Sequence, residues 1–239
     1  MKGLLVAIQF FTRLPTPRLS VSQEEFAASL RWSPAVGFIV GGIVASGAWL
    51  LSPIDTWVAA CAALVLWVGV TGGLHLDGLA DVADAAGAAH KDRAKLSAVL
   101  ADPHVGSFGV IAVSLQLAAK LVLLHALIAA QQYPALLLVP FGARIGPLVW
   151  TLWLPSLHDG LASRFRGKVG WGHVLLWGLL LLPAFVVFPG LLAVAPLILF
   201  CGFWLRRRIG GISGDGHGAG IEVTESGLLF AAVLGAASA

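Results

Sequence analysis

The sequence predicts an all-α integral membrane protein, a polytopic bundle of about six to seven transmembrane helices. An N-terminal interfacial helix and a cytoplasmic amphipathic helix complete the expected fold. Three observations carry this prediction. The 239 residues are 58% hydrophobic and 11% charged, where a soluble domain carries about 25% charged residues. Apolar runs of spanning length recur along the chain. The cations fall into the gaps between alternate runs. No polar block is long enough to fold on its own, so residues 1–239 are read as one domain.

The N-terminal MKGLLVAIQFFTRLPTPR lacks a small-residue cleavage site. It reads as a retained interfacial helix ended by Pro15 and Pro17. Spans are expected over residues 33–52 and 56–74, separated by the turn Ser52-Pro53-Ile54-Asp55. Others are expected over 107–130, 134–155, 172–188 and 190–205, the last two split by Pro189-Gly190. The stretch 226–239 is short for a crossing. Residues 90–100, HKDRAKLSAVL, read as the amphipathic cytoplasmic helix. Cys61 and Cys201 lie far apart within apolar runs and read as small buried hydrophobes, without disulfide or metal-ligand spacing.

With alternating spans, thirteen of the fifteen Lys and Arg residues share one side. They are Lys2, Arg13, Arg18 and Arg31, then Lys91, Arg93 and Lys95, then Arg164, Arg166 and Lys168, then Arg206, Arg207 and Arg208. Positive charge marks the cytoplasmic side, so the expected location is the cell inner membrane with that side facing the cytoplasm. The two remaining cations, Lys120 and Arg144, fall inside spans and are expected to face the bundle interior, paired with carboxylates or an anionic substrate. Gln116 shares the face of Lys120, one turn earlier.

The stretch HLDGLADVAD, residues 75–84, places Asp77, Asp81 and Asp84 four and three residues apart. On a helix those offsets share one face. Near a helix centre in hydrocarbon each carboxylate costs roughly 2.5–3.5 kcal/mol, so the stripe calls for a divalent cation. Gly72, Gly73, Gly78, Ala80, Ala83, Ala85, Ala86 and Gly87 leave room around it for the cation and phosphate ligands. Mg²⁺ suits such a site, taking few carboxylates together with waters and substrate phosphates. Asp102 and His104 follow in ADPHVGSFG. The segment GGISGDGHGAGIEVTE, residues 210–225, reads as a glycine-rich loop able to line an anion site, with Asp215 as a second metal or nucleotide contact. The expected chemistry is metal-assisted transfer on a phosphate-bearing substrate at the cytoplasmic face. Nothing points to nucleic acid.

These motifs, in this order and spacing, resemble the cobalamin synthase family over nearly the whole chain. The resemblance rests on FFTRLPTP (10–17), Pro34, Gly37, TGGLHLDGLADVAD (71–84), Asp102, Gly106 and Gly109. It continues through Lys120, Arg144, the stretch from Gly160 to Gly167-Lys168, and GGISGDGHGAGIE (210–222). His217 departs from the family pattern, which is apolar there. The resemblance implies the last step of the cobalamin nucleotide loop. Adenosylcobinamide-GDP is joined to α-ribazole or its 5′-phosphate, GMP is released, and Mg²⁺ is the cofactor. It implies metal contacts from Asp77, Asp81, Asp84 and Asp215. Catalytic roles fall to the three stripe acids with Asp102, Lys120 and Arg144. Substrate contacts fall to His75, His104, Lys168, Gly211, Gly214, Asp215, Gly218 and Glu222. The lipid bilayer is the other expected partner, and the reading admits a homo-oligomer or association with other corrinoid-pathway enzymes.

Two other classes compete. A CDP-alcohol phosphotransferase also displays spaced aspartates, but its pattern of DGxxAR followed by GxxxDxxxD is missing after Asp77-Gly78. A cation-coupled transporter would suit the helix breaks, but the acidic motif has no inverted repeat in the second half.

Overall fold

The computed structural model describes residues 2–89, 104–157 and 159–237. Among these residues the chain is helical, with one isolated bridge between Ser156 and Ile212. The helices, in chain order, are α1 (Lys2–Phe11), α2 (Gln23–Ser29), α3 (Ser33–Leu51), α4 (Thr56–Thr71) and α5 (Leu74–Ala89). They continue with α6 (Ser107–Ala129), α7 (Tyr133–Ala143), α8 (Gly146–Trp153), α9 (Leu161–Arg166) and α10 (Trp171–Leu181). The last are α11 (Ala184–Val187), α12 (Val194–Arg208) and α13 (Gly214–Ala237). A 3₁₀ turn, Leu30–Trp32, joins α2 to α3, and Pro189–Ala193 forms another before α12.

Local chemistry sets the boundaries. Ser22 and Glu25 form a reciprocal capping box at the start of α2. The turn expected at 52–55 is there, and the Asp55 carboxylate accepts from the Trp57 and Val58 amides to open α4. Gly72 and Gly73 follow α4 with φ of 63° and 72°, a left-handed pair that side chains resist. They bend α5 by 85° from α4. We read α4 as the crossing limb and α5 as a limb turned away from it at the membrane face.

Five helical stretches are long and apolar enough to cross a membrane: Gln23–Leu51, Ser107–Ala129, Tyr133–Trp153, Pro189–Arg208 and Gly214–Ala237. The α4–α5 pair makes a sixth when taken together. Large apolar side chains such as Trp49, Val65, Leu115, Leu175 and Phe230 point outward, as lipid contact requires. The core is the α3–α7 seam, where Val36, Val40, Val44 and Ala48 are fully buried against Leu136 and Val139. Gly37 and Gly41 let the α3 backbone press onto the α7 carbonyl groups of Pro140 and Leu137.

Several expectations change. Residues 172–188 do not form one span: α10 stops at Leu181 and a turn precedes the four-residue α11. At 1.5 Å per residue, α10 is about 16 Å long, short of the hydrocarbon thickness. Conversely, the short last segment is the end of a 24-residue helix, α13. The glycine-rich stretch is therefore not a loop beyond residue 213, because its amides enter helical bonds once α13 docks along α5. The N-terminal helix is tucked against the bundle, with Val6, Ala7 and Phe11 buried. Cys201 is buried as expected, but Cys61 faces outward, where lipid rather than protein covers an apolar thiol. The amphipathic helix expected at 90–100 lies outside the described residues.

Gly41→Val drives a branched side chain into the Leu137 carbonyl, whose carbon lies 2.8 Å from where a Cβ would sit. The expected loss is at least about 1–3 kcal/mol, seen as a lower detergent-solubilised Tm. Gly42→Val, which meets only Leu137 Cδ1 at 3.9 Å, leaves Tm near wild type.

Candidate active site

Two clusters of charged side chains occupy the bundle, and they differ in kind. The inner one is joined by three ion pairs. Lys120 on α6 reaches Glu222 Oε2 at 2.7 Å and Glu225 Oε2 at 2.6 Å, both on α13. Glu225 Oε1 accepts from Arg144 Nη1 at 2.7 Å. Arg144 lies where Pro147 ends the α7 path and restarts it as α8, and its Nη1 also donates to the Pro140 carbonyl at 3.1 Å. Gln116 Nε2 donates to the Glu222 carboxylate and carbonyl at 2.7 and 2.8 Å. Lys120 Nζ stands 4.5 Å from the Trp67 ring centroid, a cation–π contact. All four charged groups are at most 3% exposed. The structure therefore turns Lys120 and Arg144 toward glutamates rather than toward the acid stripe. Glu222, expected at a second metal or the substrate, is their partner.

The outer cluster is built by α5 and the first turn of α13. Gly78 makes their contact possible, since a Cβ there would lie 2.7 Å from the Asp215 carbonyl oxygen and 2.9 Å from its Cα. Gly218 sits likewise against the His75 backbone. Asp84 is set apart from its stripe: its two oxygens accept from the Gly106 and Gly109 amides at 2.7 and 2.9 Å. It caps α6, where the helix dipole favours a carboxylate, and its oxygens are engaged there rather than open to a metal. The Gly106 and Gly109 positions are in turn forced, because a Cβ at either would run into that carboxylate.

Asp77, Asp81 and Asp215 remain as the acids that converge. Burial raises the Asp81 carboxyl from 3.8 to about 6, and the charges of Asp215, Asp77 and Asp84 add to the effect. Asp77 and Asp215 also line a recess of about 80 Å³ with His75, His217, Gly214 and Gly218, walled by Phe10, Phe11, Pro147 and Phe165. Beside it, a groove of about 590 Å³ holds Asp77 opposite Arg13. Arg13 was not singled out as a site residue from the sequence, although it sits in the FFTRLPTP motif. Gly72 gives it passage, since a Cβ there would lie 2.7 Å from Arg13 Cγ.

Other expected site residues are dispersed. Asp102 lies outside the described residues. His104 is exposed on the strand of chain leading into α6. Lys168 pairs at 3.5 Å with Glu24 on the surface. Gly211 packs on the Pro155 carbonyl, where the 155–157 and 210–212 segments exchange backbone hydrogen bonds. His217 is buried, its Nε2 3.0 Å from Thr151 Oγ1.

Among the described residues no group of three or more His, Cys, Asp or Glu side chains forms a ready-made metal cage. The donor set still suits a hard cation. Asp77 and Asp215 border one recess, Asp81 is crowded by like charges, and a shared cation would relieve that repulsion. Mg²⁺ is bound in this manner, with substrate phosphates and water completing its shell.

Fold and site together define a polytopic helical membrane protein with a recess lined by acids. The family model for cobalamin-5-phosphate synthase matches residues 3–233, and the chain belongs to that family. It is 56% identical to the adenosylcobinamide-GDP ribazoletransferase of Novosphingobium aromaticivorans, over 98% of this chain and 97% of that one. Proteins of the same description from Thiobacillus denitrificans and Laribacter hongkongensis are 48% and 47% identical. They cover 97% and 98% of this chain, and 95% and 97% of their own lengths. No solved structure matches the chain.

Two outcomes follow for stability. The folded chain holds the Asp81 proton more tightly than the unfolded chain, so this group's contribution is greatest below pH 3.8 and is lost as pH rises through about 6. Asp81→Asn should therefore raise Tm by about 2 °C at pH 7.5 without divalent metal, with no gain at pH 4. Glu225→Ala leaves Arg144 without its carboxylate and Lys120 with one fewer. It should cost about 3–5 kcal/mol, more than Glu222→Ala, which affects Lys120 but not Arg144.

Proposed function

We propose that this chain is an adenosylcobinamide-GDP ribazoletransferase of the cell inner membrane, with its site on the cytoplasmic face. The reaction joins adenosylcobinamide-GDP to α-ribazole or its 5′-phosphate and releases GMP, closing the cobalamin nucleotide loop. The observation that carries this reading is that Asp77 and Asp215, from two helices far apart in sequence, line one recess, with Asp81 close enough to feel both charges. It occurs in a chain matched nearly end to end by the family and its ribazoletransferase relatives. The cytoplasmic placement is supported by Arg206, Arg207 and Arg208, which end α12 three residues before Gly211 in the turn into α13.

The ribazole hydroxyl oxygen forms a new bond to the cobinamide-side phosphorus. The bond from that phosphorus to the bridging oxygen breaks, and GMP leaves with the electron pair. Asp77 or Asp81 accepts the hydroxyl proton. Asp77, Asp81 and Asp215 would hold Mg²⁺, which supplies charge neutralisation for the pyrophosphate when bound. Arg13 offers a cation in the adjoining groove for the same anion. The inner ion pairs do not touch the reacting atoms; they hold α6 and α13 in register.

Detergent-purified protein supplied with adenosylcobinamide-GDP, α-ribazole and Mg²⁺ should release GMP and form the cobalamin product. Chelation of the metal should stop turnover, and Asp77→Asn and Asp81→Asn should each lower kcat by about 100-fold or more. Release of CMP from a CDP-alcohol, or label uptake into vesicles without covalent product, would instead support the competing classes.

A further inference from the structure

His75 opens α5, two residues before Asp77, and is 3% exposed. Its Nδ1 lies 3.4 Å from Arg144 Nη2. A guanidinium offers donors only, so Nδ1 must present its lone pair and the ring proton resides on Nε2. Arg144 cannot easily turn away, because its Nη1 is held by Glu225 and by the Pro140 carbonyl. Glu225 is held in turn by Lys120. The inner network thus fixes a tautomer at the outer site. The Nε2 of His75 is buried and has no hydrogen-bond partner among the described residues. The ring lines the 80 Å³ recess shared with Asp77 and Asp215. Native interiors seldom keep such a donor without a use. A recess of about 80 Å³ is small, with room for a few waters or a phosphoryl-sized group.

We propose that His75 is a catalytic hydrogen-bond donor: its Nε2–H binds a phosphoryl oxygen of the substrate at the recess. This rests on the ribazoletransferase reading. As the hydroxyl oxygen bonds to phosphorus and the bridge to GMP breaks, negative charge shifts among the phosphoryl oxygens. A preoriented donor there stabilises the transition state without giving up its proton. Arg144 and Glu225 are positioning residues that act through His75.

The test compares two variants that place an amide nitrogen differently. His75→Gln sets one near the Nε2 position, and His75→Asn sets one near Nδ1. His75→Asn should lower kcat by about 100-fold or more, with KM for adenosylcobinamide-GDP changed by less than about threefold. His75→Gln should recover to within about tenfold of wild type, with both variants matching its Tm. Full activity in His75→Asn, or equal loss in both variants at unchanged Tm, overturns the proposal. A measurement on the unmodified chain stands in if the variants do not fold. In ¹⁵N-histidine-labelled protein, His75 should show the Nε2-protonated tautomer, and its resonance should move on addition of GMP with Mg²⁺. An Nδ1-protonated ring, or no response to saturating GMP, overturns the donor role. Wild-type protein that makes no cobalamin product counts against the transferase reading instead, and leaves the tautomer to be decided by the resonance.

Discussion

The bundle depends on an ion-pair chain running from Lys120 through Glu222 and Glu225 to Arg144. Lipid supplies no hydrophobic force to press apolar helices together, so polar contacts and close packing must choose their neighbours and register. Two cations and two carboxylates sum to zero. They tie α6, the α7–α8 break and α13 to one another at a depth where an unmatched charge is costly. The same depth makes the arrangement specific, since no sliding of α13 by a turn keeps all three pairings. Charge is thereby converted into geometry.

The membrane face follows the opposite electrostatic rule. Asp81 is crowded by the like charges of Asp77 and Asp215, and Arg13 stands in the adjoining groove. That crowding works against stability and in favour of a ligand that carries or recruits positive charge. The ion-paired network beneath holds the helices in register, so the crowding of Asp81 above is tolerated. Asp84 mediates between the two regimes: it belongs to the stripe by sequence, yet it is spent on the α6 amides and so fixes the stripe to the α6 entrance.

Much of this was legible in the chain. Apolar runs and cation placement gave the helical membrane bundle, and the 0, +4, +7 spacing put the acids on one face. Lys120 and Arg144 were recognisable as interior cations because their neighbours are apolar. Their partners were less accessible, since a pairing more than eighty residues apart leaves no local trace. Glycine density argued for a loop over residues 210–225, which hid Glu222 and Glu225 as interior residues of a helix. Glycine does disfavour helix in isolation, but here tertiary contact overrides that preference: α5 needs the bare backbone at Gly218, and α13 needs it at Gly78. The Asp84 cap was hidden because a contact across more than twenty residues leaves no local trace at Gly106 or Gly109, which are moulded to that carboxylate. The length of α10 was misjudged because hydropathy cannot see the turn at Leu182–Pro183.

The place of α13 in the chain has a bearing on biogenesis. Membrane helices are made and inserted in order, and α13 alone carries Glu222, Glu225 and Asp215. Until it leaves the ribosome, Lys120 and Arg144 have no counter-charges, and α5 has no neighbour against its Gly78 face. A nascent chain at that stage holds two unneutralised cations in helices otherwise ready for lipid. Completion of α13 therefore neutralises the interior and assembles the acidic recess in one event. Synthesis of this helix becomes a checkpoint that separates an inserted polypeptide from a competent one.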